Sequence, residues 1–239
     1  MSKNNDIVTE LLICDSANIK LPENAQKTLS PAERKRLAGS RHPGRARLFL
    51  LGRYLLRRWL AVHLAEDPGR IPIRIDSRGK PRLDRPDWHF NISHSGSLLA
   101  LAIGNAGPLG VDLEGRQLDP ARILRLARRY LDDTEQRWLA HSREPELDFI
   151  RLWTVKEAVL KAQGGGIANN LQRVQWQAGS HRALFDDQPY RLYQYTLDRA
   201  WLTLAVAGAD APPPLLRRLP DLPFDLEIGG PQPNLTINP

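Results

Sequence analysis

Residues 153–161, with the sequence WTVKEAVLK, form the stretch around which the rest of the chain is organised. The run contains no proline, and apolar Trp153, Ala158 and Leu160 are interspersed with charged residues in a helix-compatible pattern. Glu157 and Lys161 are four positions apart, so a helix places them on one face, where the ammonium keeps the carboxylate ionised. This pattern predicts a site that handles a metal ion and a phosphate together.

A second acidic segment lies upstream, with the sequence GVDLE at residues 110–114. The run from Leu109 to Leu113 is apolar except for Gly110 and Asp112, which is typical of a buried strand. Asp112 and Glu114 are two positions apart, so they point to the same side of a strand. With Glu157 they predict an all-oxygen site for Mg²⁺, in which a substrate phosphate completes the coordination. The alternative, an acidic strand end and an ordinary helical ion pair, is the commoner explanation of an isolated D-x-E pattern.

A third segment, FNISHSG at residues 90–96, precedes these two. The three segments in this order resemble the signature of 4'-phosphopantetheinyl transferases, and the likeness to the long, Sfp-like branch extends roughly from Ser30 to Gly208. These enzymes move the phosphopantetheine arm of coenzyme A onto a serine of a carrier protein. The resemblance implies a monomer and an α+β fold of two similar α/β halves related by pseudo-twofold symmetry. It implies a Mg²⁺-dependent holo-[acyl-carrier-protein] synthase that releases adenosine 3',5'-bisphosphate.

The resemblance also assigns roles to individual residues. Asp112, Glu114 and Glu157 would hold Mg²⁺, Glu157 would also act as general base, and Lys161 would stabilise the transferring phosphate together with Lys156. The residues expected to contact coenzyme A are Arg45 and Arg53 as an arginine pair, Lys80 in a Gly-Lys-Pro turn, Ser93, His94, Asp112, Lys156 and Lys161, with Arg36 as a weaker candidate. Two positions depart from the family pattern: Glu33 stands where a lysine is expected, and Phe49 stands where a small hydroxyl residue is expected.

The chain contains an internal echo. Leu101 corresponds to Leu204 in similar apolar strands, and Arg47 corresponds to Arg151 in similar helical segments, at offsets of 103 and 104 residues. Nearly equal offsets indicate a duplicated unit. We therefore expect an N-terminal half, residues 1–105, and a C-terminal half, residues 106–210. The family resemblance implies that the first half binds coenzyme A and that the second carries the Mg²⁺ site and the carrier-protein contact. Residues 211–239 form a Pro- and Gly-containing tail that we expect to be poorly ordered.

Local patterns predict the other elements. They are a strand at 8–14, a helix that begins at Ser30-Pro31, a helix at 46–64, a hairpin at 71–81, a strand at 98–104, a helix at 120–130 and a strand at 201–208. The helix at 120–130 carries four arginines, which form either a solvated face or a contact for an acidic carrier protein. Glycines 164–166 end the central helix.

The 239 residues carry a formal net charge of +7, which predicts an anionic partner. Coenzyme A and an acidic carrier protein satisfy that expectation, and so would nucleic acid. An aromatic content of 7% without a recognised nucleic-acid motif disfavours a nucleic-acid-binding module. A single cysteine, Cys14, excludes an internal disulfide. With no signal-peptide pattern and no apolar run long enough to cross a bilayer, this predicts a cytoplasmic protein without a membrane partner. A family member that has lost activity is a further alternative, which the intact three carboxylates disfavour.

Overall fold

The structure is a computed structural model that describes residues 7–77, 79–166, 170–197, 200–219, 222, 224 and 226–238. Within these residues the helices are α1 Pro31–Ala38, α2 Pro43–Leu64, α3 Pro120–Tyr130, α4 Asp133–Ala140 and α5 Pro145–Gln163. The first strands are β1 Thr9–Asp15, β2 Ile19–Lys20, β3 Ile73–Ile75, β4 Pro81–Leu83, β5 His89–Ser95, β6 Leu98–Gly104 and β7 Leu109–Glu114. The later strands are β8 Val174–Gln175, β9 Arg182–Phe185, β10 Gln188–Leu197, β11 Ala200–Ala207, β12 Leu215–Arg217, β13 Glu227–Ile228 and β14 Thr236–Asn238. The mixed α+β class predicted from the sequence is confirmed.

The local sequence signals correspond closely to the elements. Ser30 caps α1 in a capping box with Glu33, and Gly164 ends α5 in the left-handed conformation at φ 82°. α2 begins three residues earlier than the predicted helix, because Pro43 occupies its first turn after the cap His42. The predicted hairpin is formed by β3 and β4, and Arg78 in its turn lies outside the described residues.

Two sheets carry the fold. The first has the strand order β12-β1-β6-β5, and the second has the order β7-β11-β10-β9-β8, with β14 also paired to β10. β12 runs parallel to β1, and the other pairings are antiparallel. Two small two-stranded ladders, β3-β4 and β2-β13, complete the pairing among the described residues.

The same local order occurs twice along the chain. β1, α2, β5 and β6 in the first half correspond to β7, α5, β10 and β11 in the second. The pairing orders β1-β6-β5 and β7-β11-β10 also correspond. This repetition agrees with the echo in the sequence, whereas the twofold relation between the halves and their boundary remain predictions.

Three apolar clusters hold the layers together. One packs α2 against the first sheet around Leu55 and Trp59, and another packs α5 against the second sheet around Phe149 and Val155. The third contains residues of both sheets, including Leu11, Ala102, Val111, Leu202 and Leu204. The faces of the two sheets therefore share one buried layer.

Gly110 allows α5 to lie directly on β7. A Cβ atom at this position would overlap with the carbonyl oxygen of Ala158 and the amide nitrogen of Ala162. Both are backbone atoms of a helix, so they cannot turn aside as a side chain can. The glycine of the GVDLE segment is therefore a packing requirement, and it sets the height of the helix above the strand.

We expect Gly110→Ala to destabilise the chain by about 3 kcal/mol, because the added methyl group pushes α5 away from β7. Urea denaturation measures this free energy. The matched control is Gly39→Ala, since a Cβ there would lie 3.5 Å from its nearest neighbour, the carbonyl oxygen of Lys35. Equal stabilities of the two variants would contradict the proposed close contact.

The chain beyond residue 210 is tied to both halves. β12 pairs with β1 and β13 with β2, whereas β14 pairs with β10 of the second sheet. Arg217 binds the buried carboxylate of Glu10, and the side chain of Gln232 accepts a hydrogen bond of 3.0 Å from the amide of Asp15. The described residues of the tail therefore contact both sheets through these pairings, and the degree of order of the whole tail stays a prediction.

None of the helices in the described part of the chain has the length and apolar character needed to cross a membrane.

Candidate functional site

A ladder of side chains joins β5 of the first sheet to β7 of the second. On alternate residues of β5, a side-chain oxygen accepts a hydrogen bond from a backbone amide of β7 or the residue after it. The pairs are Asn91 with Val111 at 2.9 Å, Ser93 with Leu113 at 3.2 Å, and Ser95 with Gly115 at 2.9 Å. The N-x-S-x-S pattern of the sequence thus gives the edge strand β7 its missing acceptors.

The two serines also hold the carboxylates of β7. Ser93 donates its hydroxyl proton to Asp112 at 3.1 Å, and Ser95 donates to Glu114 at 3.0 Å. Both carboxylates are buried, with 5% and 6% of each residue exposed. The sequence predicted that Ser93 contacts coenzyme A, but the structure places its hydroxyl between Asp112 and the backbone of β7.

Helix α5 brings Glu157 and Lys161 to the same place. Its orientation is fixed by Gly110 and by a buried hydrogen bond of 3.0 Å between the hydroxyls of Thr154 and Thr203. Glu157 and Lys161 form the predicted pair four residues apart, with 3.9 Å between their charged atoms.

Lys161 has three hydrogen-bond partners. Its ammonium lies 2.5 Å from Asp112 and donates to Ser93 at 3.1 Å and to the carbonyl of Val111 at 3.3 Å. The three protons of the ammonium are therefore engaged. Lys161 is thus a fixed positive charge beside Asp112.

These groups line one cleft of about 250 Å³ between the halves. Its lining residues are Ile92, Ser93, His94, Asp112, Leu113, Glu114, Arg116, Trp153, Glu157 and Lys161. The structure therefore brings together the three predicted carboxylates, although Asp112 and Glu157 are 45 positions apart along the chain.

The surroundings of Glu157 raise the pKa of its carboxyl group. Burial raises its pKa, and the charges of Asp112 and Glu114 raise it further, against the opposing effects of Lys161 and Arg116. The result is a pKa of about 7. Near neutral pH this carboxyl can therefore both hold and release a proton. The expectation that Lys161 keeps it ionised is wrong, because burial and the charges of Asp112 and Glu114 outweigh an ammonium 3.9 Å away.

Arg116 was not predicted from the sequence, although it follows the D-x-E segment by only two positions. Its guanidinium binds Glu114 in a bidentate manner, with Nε 2.9 Å from each carboxylate oxygen. Burial tends to raise the pKa of Glu114, but Arg116 and Ser95 hold it below its ordinary value.

The donor set fits a hard divalent cation. Within the described residues no group of three or more acidic, His or Cys side chains is arranged so that it could hold a metal ion, and here Glu114 is bound to Arg116 and Asp112 to Lys161. The charges of Asp112 and Glu114 contribute to the raised pKa of Glu157, so the three carboxyl groups lie close enough to interact electrostatically. Three oxygen donors around one cleft match the ligand preference of Mg²⁺.

Lys156 lies elsewhere, contrary to its predicted contact with coenzyme A. It is fully buried, 2.6 Å from the carboxylate of Glu135, and donates to the carbonyls of Leu171 and Val174 at 2.9 and 2.8 Å. Five positions along a helix place Lys156 and Lys161 on different faces. Lys156 therefore joins α5 to α4 and to the segment before β8.

Arg53, the second member of the predicted arginine pair, is also buried. Its Nε lies 3.2 Å from Glu33, and its guanidinium lies over the rings of Phe49 and Phe90. Burial lowers its pKa to about 10. The two departures from the family pattern, Glu33 and Phe49, are thus the direct neighbours of Arg53, and Glu33 also binds buried Arg57 at 2.7 Å.

Arg45 and His94 lie near each other at the rim. Partial burial of the imidazole lowers the pKa of His94, and the charges of Lys161 and Arg45 lower it further. Lys80 precedes β4, and its ammonium donates to the carbonyls of Lys161 and Ala162 at the end of α5. Burial lowers the pKa of Lys80 to about 8. A pocket of about 350 Å³ beside Lys80 is lined also by Arg82, Arg85, Trp88 and His89.

Comparisons with known proteins match this architecture. Residues 108–205 match the 4'-phosphopantetheinyl transferase superfamily, and residues 21–105 match the N-terminal model of a 4'-phosphopantetheinyl transferase. The Synechocystis sp. protein slr0495, whose name places it provisionally in this family, is 32% identical over 79% of this chain and 74% of its own length. The chain therefore belongs to the 4'-phosphopantetheinyl transferase superfamily.

Two named relatives agree with this assignment. The 4'-phosphopantetheinyl transferase HetI of Nostoc sp. is 37% identical over 59% of this chain and 62% of its own length. The 4'-phosphopantetheinyl transferase Sfp of Bacillus subtilis is 33% identical over 61% of this chain and 65% of its own length. The chain thus matches less than two thirds of the length of either relative. These matches give no support to the alternative of a nucleic-acid-binding module.

We expect Glu157→Gln to stabilise the metal-free chain by about 1–3 kcal/mol near pH 8. The pKa of Glu157 is about 7 in the folded chain against an ordinary 4.5, so the unfolded chain ionises first as the pH rises. The parent therefore loses stability between about pH 4.5 and about pH 7, and glutamine removes this loss. Urea denaturation with a chelator at about pH 4 and about pH 8 measures the difference, and a gain independent of pH would contradict the assignment.

We expect Lys156→Ala to destabilise the chain by about 3–5 kcal/mol, because it leaves the buried carboxylate of Glu135 without its cation. The control is Lys35→Ala on the exposed face of α1. Thermal or urea denaturation compares the two variants. An unchanged stability of Lys156→Ala with a raised KM for coenzyme A would instead support a ligand contact.

Proposed function

We propose that this chain transfers the 4'-phosphopantetheine group of coenzyme A to a serine of an apo acyl or peptidyl carrier protein. Adenosine 3',5'-bisphosphate is the second product. The observation that carries this proposal is the convergence of Asp112, Glu114, Glu157 and Lys161 on one cleft between the halves. Membership of the transferase superfamily and the printed activities of HetI and Sfp support the same reaction.

Asp112, Glu114 and Glu157 would hold one Mg²⁺ ion in this cleft. When bound, the ion neutralises negative charge on the diphosphate of coenzyme A. The serines of β5 orient Asp112 and Glu114 before any ligand arrives, which lowers the cost of assembling the site.

Glu157 acts as the base for the carrier serine. The serine oxygen forms a bond to the phosphorus of the phosphopantetheine phosphate, and the bond from that phosphorus to the adenosine bisphosphate oxygen breaks. The serine proton moves to the Glu157 carboxylate.

Positive side chains near the cleft stabilise the negative charge that develops on the phosphate during the transfer. Lys161 stays beside Asp112 and contributes its charge to the cleft, since its protons are engaged by protein oxygens. Arg45, His94 and Lys80 are the candidates for the phosphates of coenzyme A. His94 lines the cleft, Arg45 is close enough to affect the pKa of His94, and Lys80 lines a neighbouring pocket.

An acidic carrier protein is the expected partner. The four arginines of α3, Arg122, Arg125, Arg128 and Arg129, are all exposed, as is Leu124. A basic surface of this kind attracts an acidic partner and weakens with salt. Cys14 is a buried free thiol, which is compatible with a reducing compartment. The cytoplasmic location and the monomeric state remain predictions.

The reaction is tested by incubating the chain with coenzyme A, MgCl₂ and a panel of apo carrier proteins. Mass spectrometry is expected to show one phosphopantetheine group added to the carrier serine. Glu157→Gln is expected to lower kcat/KM by about 10²–10⁴-fold, because it removes the base and a metal ligand.

The control variant is Glu227→Gln. It changes an exposed carboxylate of the tail that is paired with Lys20 of β2. It should retain the parent activity. Absence of an adduct on every carrier offered, with folded protein and Mg²⁺ present, would refute the proposed reaction.

A further inference from the structure

Glu114, a candidate metal ligand, is bound by Arg116 through both of its carboxylate oxygens. The backbone amide of Arg116 and its Nε both donate to one carboxylate oxygen of Glu114 at 2.9 Å. The Nε and Nη2 atoms also contact the second oxygen. Both oxygens of Glu114 are therefore occupied by a positive group of the chain itself.

Arg116 is the accessible partner of this ion pair. Its side chain is 61% exposed, whereas that of Glu114 is 7% exposed. Arg116 lines both the catalytic cleft and a neighbouring groove of about 470 Å³, whose walls include Leu118, Leu147 and Trp201. Rotation of the side chain into this open groove or into solvent releases the carboxylate without moving the backbone.

Glu114 would keep its orientation after such a rotation. Ser95 donates to Glu114 from β5, and the amide of Arg116 does so from the main chain. These two contacts do not depend on the guanidinium. The carboxylate would therefore remain directed into the cleft as an available oxygen donor.

The charge of Arg116 also acts beyond Glu114. It interacts electrostatically with Asp112 and Glu157, the two other predicted metal ligands. The guanidinium reduces the repulsion among these three carboxylates, which is the same effect that a bound divalent cation would have.

We propose that Arg116 is a displaceable internal counter-ion, which competes with the divalent cation for Glu114 and sets the metal affinity of the cleft. Metal binding requires the guanidinium to swing out of the carboxylate cluster. This inference rests on the metal site of the proposed function, and it assigns a positioning role to a residue outside the recognised sequence segments.

The test compares Mg²⁺ binding by the metal-stripped full chain, measured by isothermal titration calorimetry without coenzyme A or carrier protein. Arg116→Gln is expected to bind Mg²⁺ about tenfold more tightly, because both the competition and the charge repulsion are removed. Arg116→Lys retains the charge without the bidentate contact, so its affinity should lie between those of the parent and Arg116→Gln.

The matched control is Arg173→Gln. Arg173 also binds a carboxylate, Asp186, through Nε at 3.0 Å, and its side chain is 50% exposed, but it does not line the cleft. Its removal should leave the Mg²⁺ affinity unchanged. A gain of similar size in this control would indicate a general charge effect and overturn the specific role of Arg116.

A double-substitution cycle separates competition for Glu114 from other effects. In a Glu114→Gln background, Arg116→Gln should give a clearly smaller gain in affinity, since the shared carboxylate is absent. An affinity of Arg116→Gln equal to or lower than that of the parent overturns the inference while the metal site stands. If neither protein binds Mg²⁺ at millimolar concentration, the metal site of the proposed function fails as well.

Discussion

The contact between β5 and β7 is the constraint on which the site depends. Strand β7 is at the edge of its sheet, and its outward amides receive acceptors from Asn91, Ser93 and Ser95 instead of from another backbone. A serine hydroxyl has one proton and two lone pairs, and Ser93 uses all three, toward Asp112, Leu113 and Lys161. One short polar strand therefore joins the halves and orients the acidic side chains between them.

The electrostatics of the cleft follow from this arrangement. Asp112, Glu114 and Glu157 are brought into a partly buried space, where like charges repel more strongly than in water. Two cations offset part of this repulsion, and they differ in how they are held. Lys161 is held by three oxygen atoms, whereas Arg116 is exposed and is attached mainly through Glu114. The two cations together offset part of the negative charge of the three carboxyl groups.

Helix α5 connects the site to the core of the second half. One face carries Glu157 and Lys161 toward the cleft, and another buries Lys156 against Glu135. Gly110 and Thr154 set the distance and rotation of the helix against the second sheet. The segment WTVKEAVLK therefore contributes both to the cleft and to the core. Lys161 belongs to the cleft, whereas Lys156 belongs to a buried ion pair.

The sequence by itself determined the α+β class, the main helices and strands, and the acidic residues of the cleft. These features depend on local periodicity, capping residues and short segments, which act over a few neighbouring positions. The capping box at Ser30 and Glu33 and the strand 98–104 are examples. Only the tertiary structure decided which polar side chains face the cleft, because this depends on partners far away in the chain. It placed Lys156 and Arg53 in buried ion pairs, turned Ser93 toward β7, paired short strands of the tail with both sheets, and brought Arg116 onto Glu114. In each case the partner is chosen by the packing of one half against the other or of helices against a sheet, which local sequence signals do not encode.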